Sequence, residues 1–594
     1  MEKSGKKDEF KDLFDPVTNA KAALIITTVG TFVFFSSLFN SFVYDDEPQI
    51  VINPLVQSLT NIPRFFVSSI IQAGIEGVNL LDVYYKPIPF TIYTIVHSVF
   101  GANPFLFHLP QVLLHMANTF LIFLLFSSFF KRPLAFFLAV VFLVHPLNSE
   151  SVVYIANLQD TLFLFFGLAS TYLIVRSRDT VLSNKNHFLI SFLLLLSIMS
   201  KETGILFFFI VPAYTLFFAF RHFKRIILAI ASSLAVYILF RFLSLNNEAG
   251  ISVPSLIQQS DLTTRLISMP QIAFYYISKL FVPINFAVGQ EWLVKSVGWQ
   301  SFYLPLILDT IFFAITILGG VLLFLRRRSV FKAYLFFALW FFLGLSIHLQ
   351  IFPLDVTVAD RWFYFPMVGL LGLVGVFANG FIGSVSGHKA NLNILVLTGL
   401  FLIVVLSVLT IVRSSQFRTP LTLYAHDLQY SRVSPQIDNL YGRELMKSGK
   451  VDEAKFYLEK SVTANPRLGN NLQHLGLWYE LKKEYTEAKE LYWQDVNLNN
   501  GLPKSYSYAS LAGIALYNEN NPHEAKELTE TGLSKYPQYE RLLEYSAIAE
   551  YLLENKKKSL MTAQKLVGFY PSQKNGNLLE SIKNDSFKLQ INDK

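Results

Sequence analysis

Apolar stretches of roughly twenty residues are long enough to cross a bilayer as helices, and this chain carries one after another. They run over 22–43, 104–130, 302–325, 331–351, 362–380 and 394–412, with shorter ones at 134–144, 161–175, 187–199, 205–220 and 226–243. Short basic clusters separate them: Lys131-Arg132, Arg176 with Arg178, Arg221 to Arg225, and Arg326-Arg327-Arg328. At 52% hydrophobic and only 15% charged residues, with a mean hydropathy of +0.41, the composition excludes an ordinary soluble protein. The expected fold is all-α: a polytopic bundle of about eleven spans.

The basic clusters set the topology. Lys and Arg favour the cytoplasmic side, so an odd number of spans with a cytoplasmic N-terminus puts all four clusters inside. The stretch 267–286 contains Pro270, Lys279 and Pro283 and is read as interfacial or re-entrant, because a crossing there would place Arg326 to Arg328 outside. Stretches 51–66 and 87–100 are expected to lie along the interface. On this reading 1–21 is a cytoplasmic tail, 22–412 the membrane domain with a large first outer loop at 44–103, and 413–594 an extracytoplasmic domain. The run 22–43 is long enough to span and lacks a small-residue cleavage pattern, so it is expected to stay as the first helix. The formal charge of +8 resides in the topology clusters, which argues against nucleic acid as a partner. With no cysteine, disulfides, thiolate zinc sites and cysteine nucleophiles are excluded. No glycine-rich nucleotide loop is present.

From about Arg413 the composition becomes that of a soluble helical domain with an internal repeat. Gly442 and Ala454 recur as Gly476 and Ala488, then as Gly513 and Ala525, always twelve apart, and Pro466, Pro537 and Pro571 mark unit ends. Small residue, alanine and proline in that order form the tetratricopeptide pattern, in which small side chains let paired helices touch. A fourth unit carries Ala547, Ser559 and Pro571, making about four repeats. Such an array can dock peptides or serve as a purely structural stack.

The remaining polar residues concentrate on the expected outer face. Asp45 and Asp46, between Tyr44 and Glu47, directly follow the first apolar run. Two adjoining carboxylates can push each other's proton affinity apart and work as base and orienting acid, or they can simply cap a helix end in water. Lys86, beside Tyr84 and Tyr85, can hold a lipid phosphate or snorkel to the interface. Lys201-Glu202 interrupts two short apolar stretches, where charges pair or line a cavity. Arg361 stands at the outer end of an apolar run, suited to forked bonds with phosphate or to a salt bridge with Asp360. His145, Asn148, Glu150 and Asp160 gather round one short loop whose spacing matches no metal motif, and His145 before Pro146 can serve only to end a helix. Acid after the first run and cations at several outer helix ends suit chemistry on a phosphorylated lipid. A polyprenyl-phosphate sugar fits: isoprenoid for the bilayer, phosphate for the cations, and an anomeric carbon open to an activated hydroxyl.

The order of these pieces resembles the class C glycosyltransferases of the transmembrane and tetratricopeptide repeat family, whose animal members are protein O-mannosyltransferases and which has bacterial relatives. The resemblance rests on Tyr44-Asp45-Asp46, Asn53-Pro54, Tyr85-Lys86-Pro87, Gly101 to Pro104, His108, Leu114 to Asn118, His145-Pro146 with Glu150 and Asp160, Ser200-Lys201-Glu202, and Ala359-Asp360-Arg361-Trp362 with Tyr364 and Pro366. The chain departs from the family pattern in having Lys86 for arginine, Asp360 for glutamate, and Leu158-Gln159 where an arginine often precedes the acid. Charge is kept at the first two places and lost at the third.

The resemblance implies transfer of a sugar from a polyprenyl-phosphate donor to a hydroxyl of protein Ser/Thr or of an envelope glycan, with inversion. Asp45, or Asp46 in another register, would be the catalytic base. Lys86, Lys201 and Arg361 would hold the donor phosphate, and Tyr44, His145, Glu150, Asp160, Glu202 and Asp360 would line the pocket. No cofactor is required; a divalent ion on Asp45 and Glu150 would be magnesium or manganese, which favour hard oxygen donors. The repeats would recruit acceptor, in a bacterial inner membrane with the repeats in the periplasm, or in the endoplasmic reticulum with the repeats in the lumen. The competing reading is a noncatalytic scaffold whose repeats assemble envelope partners.

Overall fold

A computed structural model of the chain describes residues 17–68, 85–245, 255–385, 389–430, 434–467, 470–498 and 504–589. Most of the expected N-terminal tail and residues 69–84 of the first loop, Tyr84 included, lie outside them. The described residues are helical apart from turns, loops and one isolated antiparallel bridge between Gln290 and Val358. Two compact units divide the chain, the first taking in Met1–Ile70, Tyr84–Glu248 and Pro254–Val433, the second Ser434–Lys594.

The chain is an integral, multi-pass membrane protein. Seven described helices are long and apolar enough to cross a bilayer: Pro104–Phe126, Ile155–Arg176, Phe220–Ser244, Trp299–Arg326, Arg328–Ser346, Asp360–Asn379 and Asn393–Gln416. Arg132–Val144 and Pro146–Val153 together make an eighth if their 53° bend is one broken span. Asn19–Phe34, Pro87–Phe100 and Glu202–Phe218 are shorter apolar helices. The sequence boundaries follow the caps: Ser183 accepts the Asn186 N–H at 3.2 Å to open Asn184–Ser200, and Asp261 accepts the Thr264 N–H at 2.9 Å to open Leu262–Phe281. With little apolar driving force between helices in lipid, close packing relies on small residues. A Cβ on Gly369 would lie 2.4 Å from the Phe341 backbone nitrogen, and one on Gly372 2.1 Å from the Phe337 ring.

Helix direction sorts the charges. Arg132, Arg176, Arg221 and Arg326 to Arg328 lie at one set of helix ends. Asp45, Lys86, Glu150, Asp160, Lys201 and Arg361 lie at the other, where the first helix leaves, Pro87–Phe100 and Leu158–Arg176 begin, and Asn184–Ser200 ends. An acid in the first turn, like Asp160, and a base in the last, like Arg176, also suit the helix dipole.

The domain boundary differs from the sequence expectation of 412/413. Lys389–Gln416 continues past Arg413, and Pro420–Tyr430 belongs to the membrane unit. The reason is burial of its polar residues: Asp427 accepts the Val288 N–H at 2.9 Å, the Tyr424 hydroxyl accepts the Tyr44 N–H at 3.1 Å, and Arg413 stands 3.9 Å from Asp360. Composition turns polar at Arg413 because the chain there enters a buried ion network.

The second unit is built of helix hairpins: Pro435–Lys447 with Val451–Ala464, Asn471–Leu481 with Tyr485–Asn497, Ser505–Tyr517 with Pro522–Lys535, and Glu540–Leu552 with Lys556–Phe569, then Gln573–Lys583. Ala454, Ala488, Ala525 and Ala547 are fully buried. A Cβ on Gly442 or Gly476 would come within 2.7 Å of Leu458 or Tyr492. Each hairpin turns through one residue of positive φ, Gly449 (81°), Lys483 (63°), Asn520 (49°) and Glu554 (61°), so the backbone repeats at 34, 37 and 34 residues.

Candidate active site

Asp45 and Asp46 are adjacent in sequence and separated in role. Tyr44 has a φ of 53°, a left-handed conformation that costs a non-glycine residue about 1–3 kcal/mol, ten residues after the helix Asn19–Phe34 ends. Asp46 is fully buried and both of its carboxylate oxygens are taken: Oδ2 accepts the Val43 N–H at 2.9 Å and Oδ1 the Ala156 N–H at 2.7 Å. It fastens the first loop to the start of the span Ile155–Arg176. Asp45 remains partly exposed. Its N–H donates to the Tyr154 hydroxyl at 3.0 Å. Burial pushes the Asp45 carboxyl above the usual carboxylate range, while a hydrogen bond from Tyr154 and the charges of Arg361 and Lys86 pull it back.

The cations have acidic partners. Arg361 Nη1 donates to Glu150 Oε1 at 2.5 Å, and its backbone N–H to Oε2 at 3.1 Å. The pair is buried, with side-chain exposures of 14% and 0%, and Asp355 lies 3.9 Å away on the open side of the guanidinium. Lys201 Nζ donates to Asp160 Oδ1 at 2.7 Å, leaving Oδ2 without a partner among the described residues. Burial pulls the Lys201 ammonium below its usual range, Asp160 raises it again, and the charges of Arg361 and Lys86 lower it further. These mutual effects bring Asp45, Lys86, Lys201 and Arg361 into one electrostatic neighbourhood.

Other sequence candidates face elsewhere. Glu202 accepts the Tyr85 N–H at 3.3 Å, which fixes the residue before Lys86. Both ring nitrogens of buried His145 are engaged by backbone: the Leu147 N–H at 3.2 Å and the Leu280 carbonyl at 3.1 Å. His145 therefore ties the helix break to Leu262–Phe281. Asp360 turns away from Arg361 to accept the Tyr275 hydroxyl at 2.5 Å, and its other oxygen faces Arg413. The salt bridge open to Arg361 in the sequence is thus made with Glu150. Among the described residues no three His, Cys, Asp or Glu side chains gather as a metal site, and the Glu150 oxygens are held by Arg361.

Three neighbours escaped the sequence reading. Tyr154 touches Asp45, Glu291 acts through its charge on Tyr44 and is acted on by that of Asp355, and His348 stacks on Trp362 with ring centroids 5.1 Å apart. Burial, then the charge of Lys201, pulls His348 down to about 3, so its ring is neutral. The only signal for Tyr154 and Glu291 was a polar residue inside an outer segment, which the surrounding loops share, and His348 stood near the end of the apolar run 331–351.

Residues 86–248 match the family described as dolichyl-phosphate-mannose-protein mannosyltransferase. A protein O-mannosyl-transferase of Caenorhabditis elegans is 23% identical over 471 residues, 75% of this chain and 62% of that protein. The Mus musculus protein O-mannosyl-transferase TMTC3 is 23% identical over 603 residues, 91% of this chain and 62% of that protein. Its TMTC1 counterpart is 30% identical over 210 residues, 33% of this chain and 22% of that protein. The chain thus spans about six-tenths of the length of the first two relatives. Two structures of ArnT from Cupriavidus metallidurans, apo and bound to undecaprenyl phosphate, align over 84% and 91% of this chain and 80% and 79% of theirs, at 15% and 13% identity with TM-scores of 0.36 and 0.33. In sequence, the chain is similar to protein O-mannosyl-transferases, TMTC1 and TMTC3 among them.

Proposed function

We propose that the chain is a membrane glycosyltransferase that moves a sugar from a polyprenyl-phosphate donor to a hydroxyl acceptor with inversion. One observation carries the reading: a partly exposed carboxylate, Asp45, shares its electrostatic surroundings with Arg361 and Lys86 at the end of the bundle opposite the basic clusters. Asp45 removes the acceptor's hydroxyl proton. The freed oxygen pair forms a bond to the anomeric carbon as the bond from that carbon to the phosphate oxygen breaks. Lys86, Lys201 and Arg361 receive the charge that grows on the departing lipid phosphate, each well-placed donor contributing on the order of 3 kcal/mol. Asp46 holds the loop on which Asp45 stands, and Glu150 and Asp160 position the two buried cations. No step requires a divalent ion.

Positive-inside topology supports an extracytoplasmic face for this end, and the helix-hairpin unit would recruit a protein or glycan acceptor. The proposed setting is a bacterial inner membrane, with the endoplasmic reticulum lumen as the alternative. The test is reconstituted chain in nanodiscs with polyprenyl-phosphate mannose and a Ser/Thr peptide. Glycopeptide should appear in step with free polyprenyl phosphate, and both should vanish in D45N. A noncatalytic scaffold would instead tolerate D45N and lose its function on changes to the hairpin surface.

A further inference from the structure

Residues 285–298 follow the helix Leu262–Phe281 and double back along 356–358. Gln290 and Val358 form the antiparallel bridge, the Thr357 N–H donates to the Gln290 carbonyl at 3.0 Å, and the Trp292 N–H donates to the Thr357 hydroxyl at 3.0 Å. In extended chain successive side chains point to opposite faces. Gln290 reaches the Tyr275 hydroxyl at 2.7 Å and Trp292 donates to Gln290 at 3.3 Å, so these two share one face. Glu291 points to the other, where its electrostatic neighbours are Asp355 and Tyr44, the residue before Asp45. It is 5% exposed, and its Oε2 has no hydrogen-bond partner among the described residues.

A buried carboxylate oxygen without a donor is costly unless a ligand supplies one. Resting on the donor reading above, we propose that Glu291 binds a ring hydroxyl of the donor sugar and so sets which sugar is transferred. The position follows from the reacting groups. Asp355, whose charge acts on Glu291, is 3.9 Å from the guanidinium of Arg361, and Tyr44 adjoins the base. A hexose with its phosphate on Arg361 and its anomeric carbon towards Asp45 turns its remaining hydroxyls to the groups flanking both, which are Tyr44, Asp355 and Glu291. Burial, then the charge of Asp355, pushes the Glu291 carboxyl up to about 7. Near neutrality it both accepts and donates hydrogen bonds, which suits a neutral hydroxyl better than an acceptor ammonium.

The test uses the full chain in nanodiscs with polyprenyl-phosphate mannose and its 2-, 3-, 4- and 6-deoxy analogues. The unmodified chain should lose roughly tenfold or more in kcat/KM on one analogue. E291A should lose a similar factor on mannose itself and no longer distinguish that analogue, while E291Q, which keeps a donor and an acceptor, should still distinguish it. A uniform loss across all donors in E291A, or a changed KM for the acceptor peptide with the donor ranking intact, would overturn the assignment while leaving the transferase reading in place. If the unmodified chain transfers no sugar from any of these donors, the transferase reading falls and this assignment with it.

Discussion

Asp45→Asn and Asp46→Asn should fail in different ways although they change neighbouring residues. Asp46 accepts two backbone N–H groups in a fully buried position. An asparagine there can accept only one, and its NH2 group faces the second donor. Losing a hydrogen bond to a charged group and stranding a buried amide costs about 2–4 kcal/mol. In a unit of this size that lowers an apparent melting midpoint by roughly 2–5 °C. Asp45 is partly exposed and spans no such gap, so D45N should leave the midpoint within roughly 1–2 °C while removing a general base that contributes about 10²- to 10⁴-fold. The assay pairs thermal unfolding in detergent with glycopeptide formation in nanodiscs. D45N retaining more than a tenth of the rate, or D46N melting like the parent, would show that the roles derived from the hydrogen bonds are wrong.

Other outcomes follow from the ion pairs and burial. Lys201→Met strands Asp160, whose carboxylate is 2% exposed, and should destabilise by about 3–5 kcal/mol; adding D160N should recover most of the stability and none of the transfer, checked by melting and turnover of the double variant. Arg361→Lys keeps the charge but loses the forked geometry on Glu150, and kcat/KM should fall at least tenfold with little change in expression. Glu291 is held above its ordinary range, so the folded state binds its proton more tightly than the unfolded chain does. Its contribution to stability is therefore complete below pH 4.5 and lost as pH rises through about 7. The melting advantage of E291Q over the parent should accordingly grow between pH 5 and pH 8, and a constant offset would contradict this. Gly369→Val, which sets a side chain against the Phe341 backbone, should abolish folded protein in size-exclusion chromatography.

The sequence carries the broad plan because its signals are long. Apolar runs, basic clusters and a repeat spaced by 34 residues survive averaging over many positions, and Ala454, Ala488 and Ala525 are buried where the repeat put them. Asp45, Lys86, Lys201 and Arg361 stood out as candidates because a charge beside an apolar run needs a reason. What was not legible depends on side-chain direction. Nothing in the string Asp45-Asp46 says which carboxylate meets two amides, since Ala156 lies 110 positions away in sequence. Arg361 chose Glu150 over its neighbour Asp360 for the same reason. Glu291 sat in a mixed segment, 244–300, and only the pairing with residues 356–358 turns it towards Tyr44.

Both buried cations already hold a carboxylate within the fold, Arg361 on Glu150 and Lys201 on Asp160. In the proposed reaction an incoming diester would therefore meet positive groups whose attraction is partly spent, and the monoester it leaves, carrying more charge, would compete with the same two internal anions for the cations. On that reading, such built-in rivals would keep the spent carrier from lodging permanently. Removing them should exchange turnover for tight product inhibition, so the acids behind the cations govern how many cycles the protein completes.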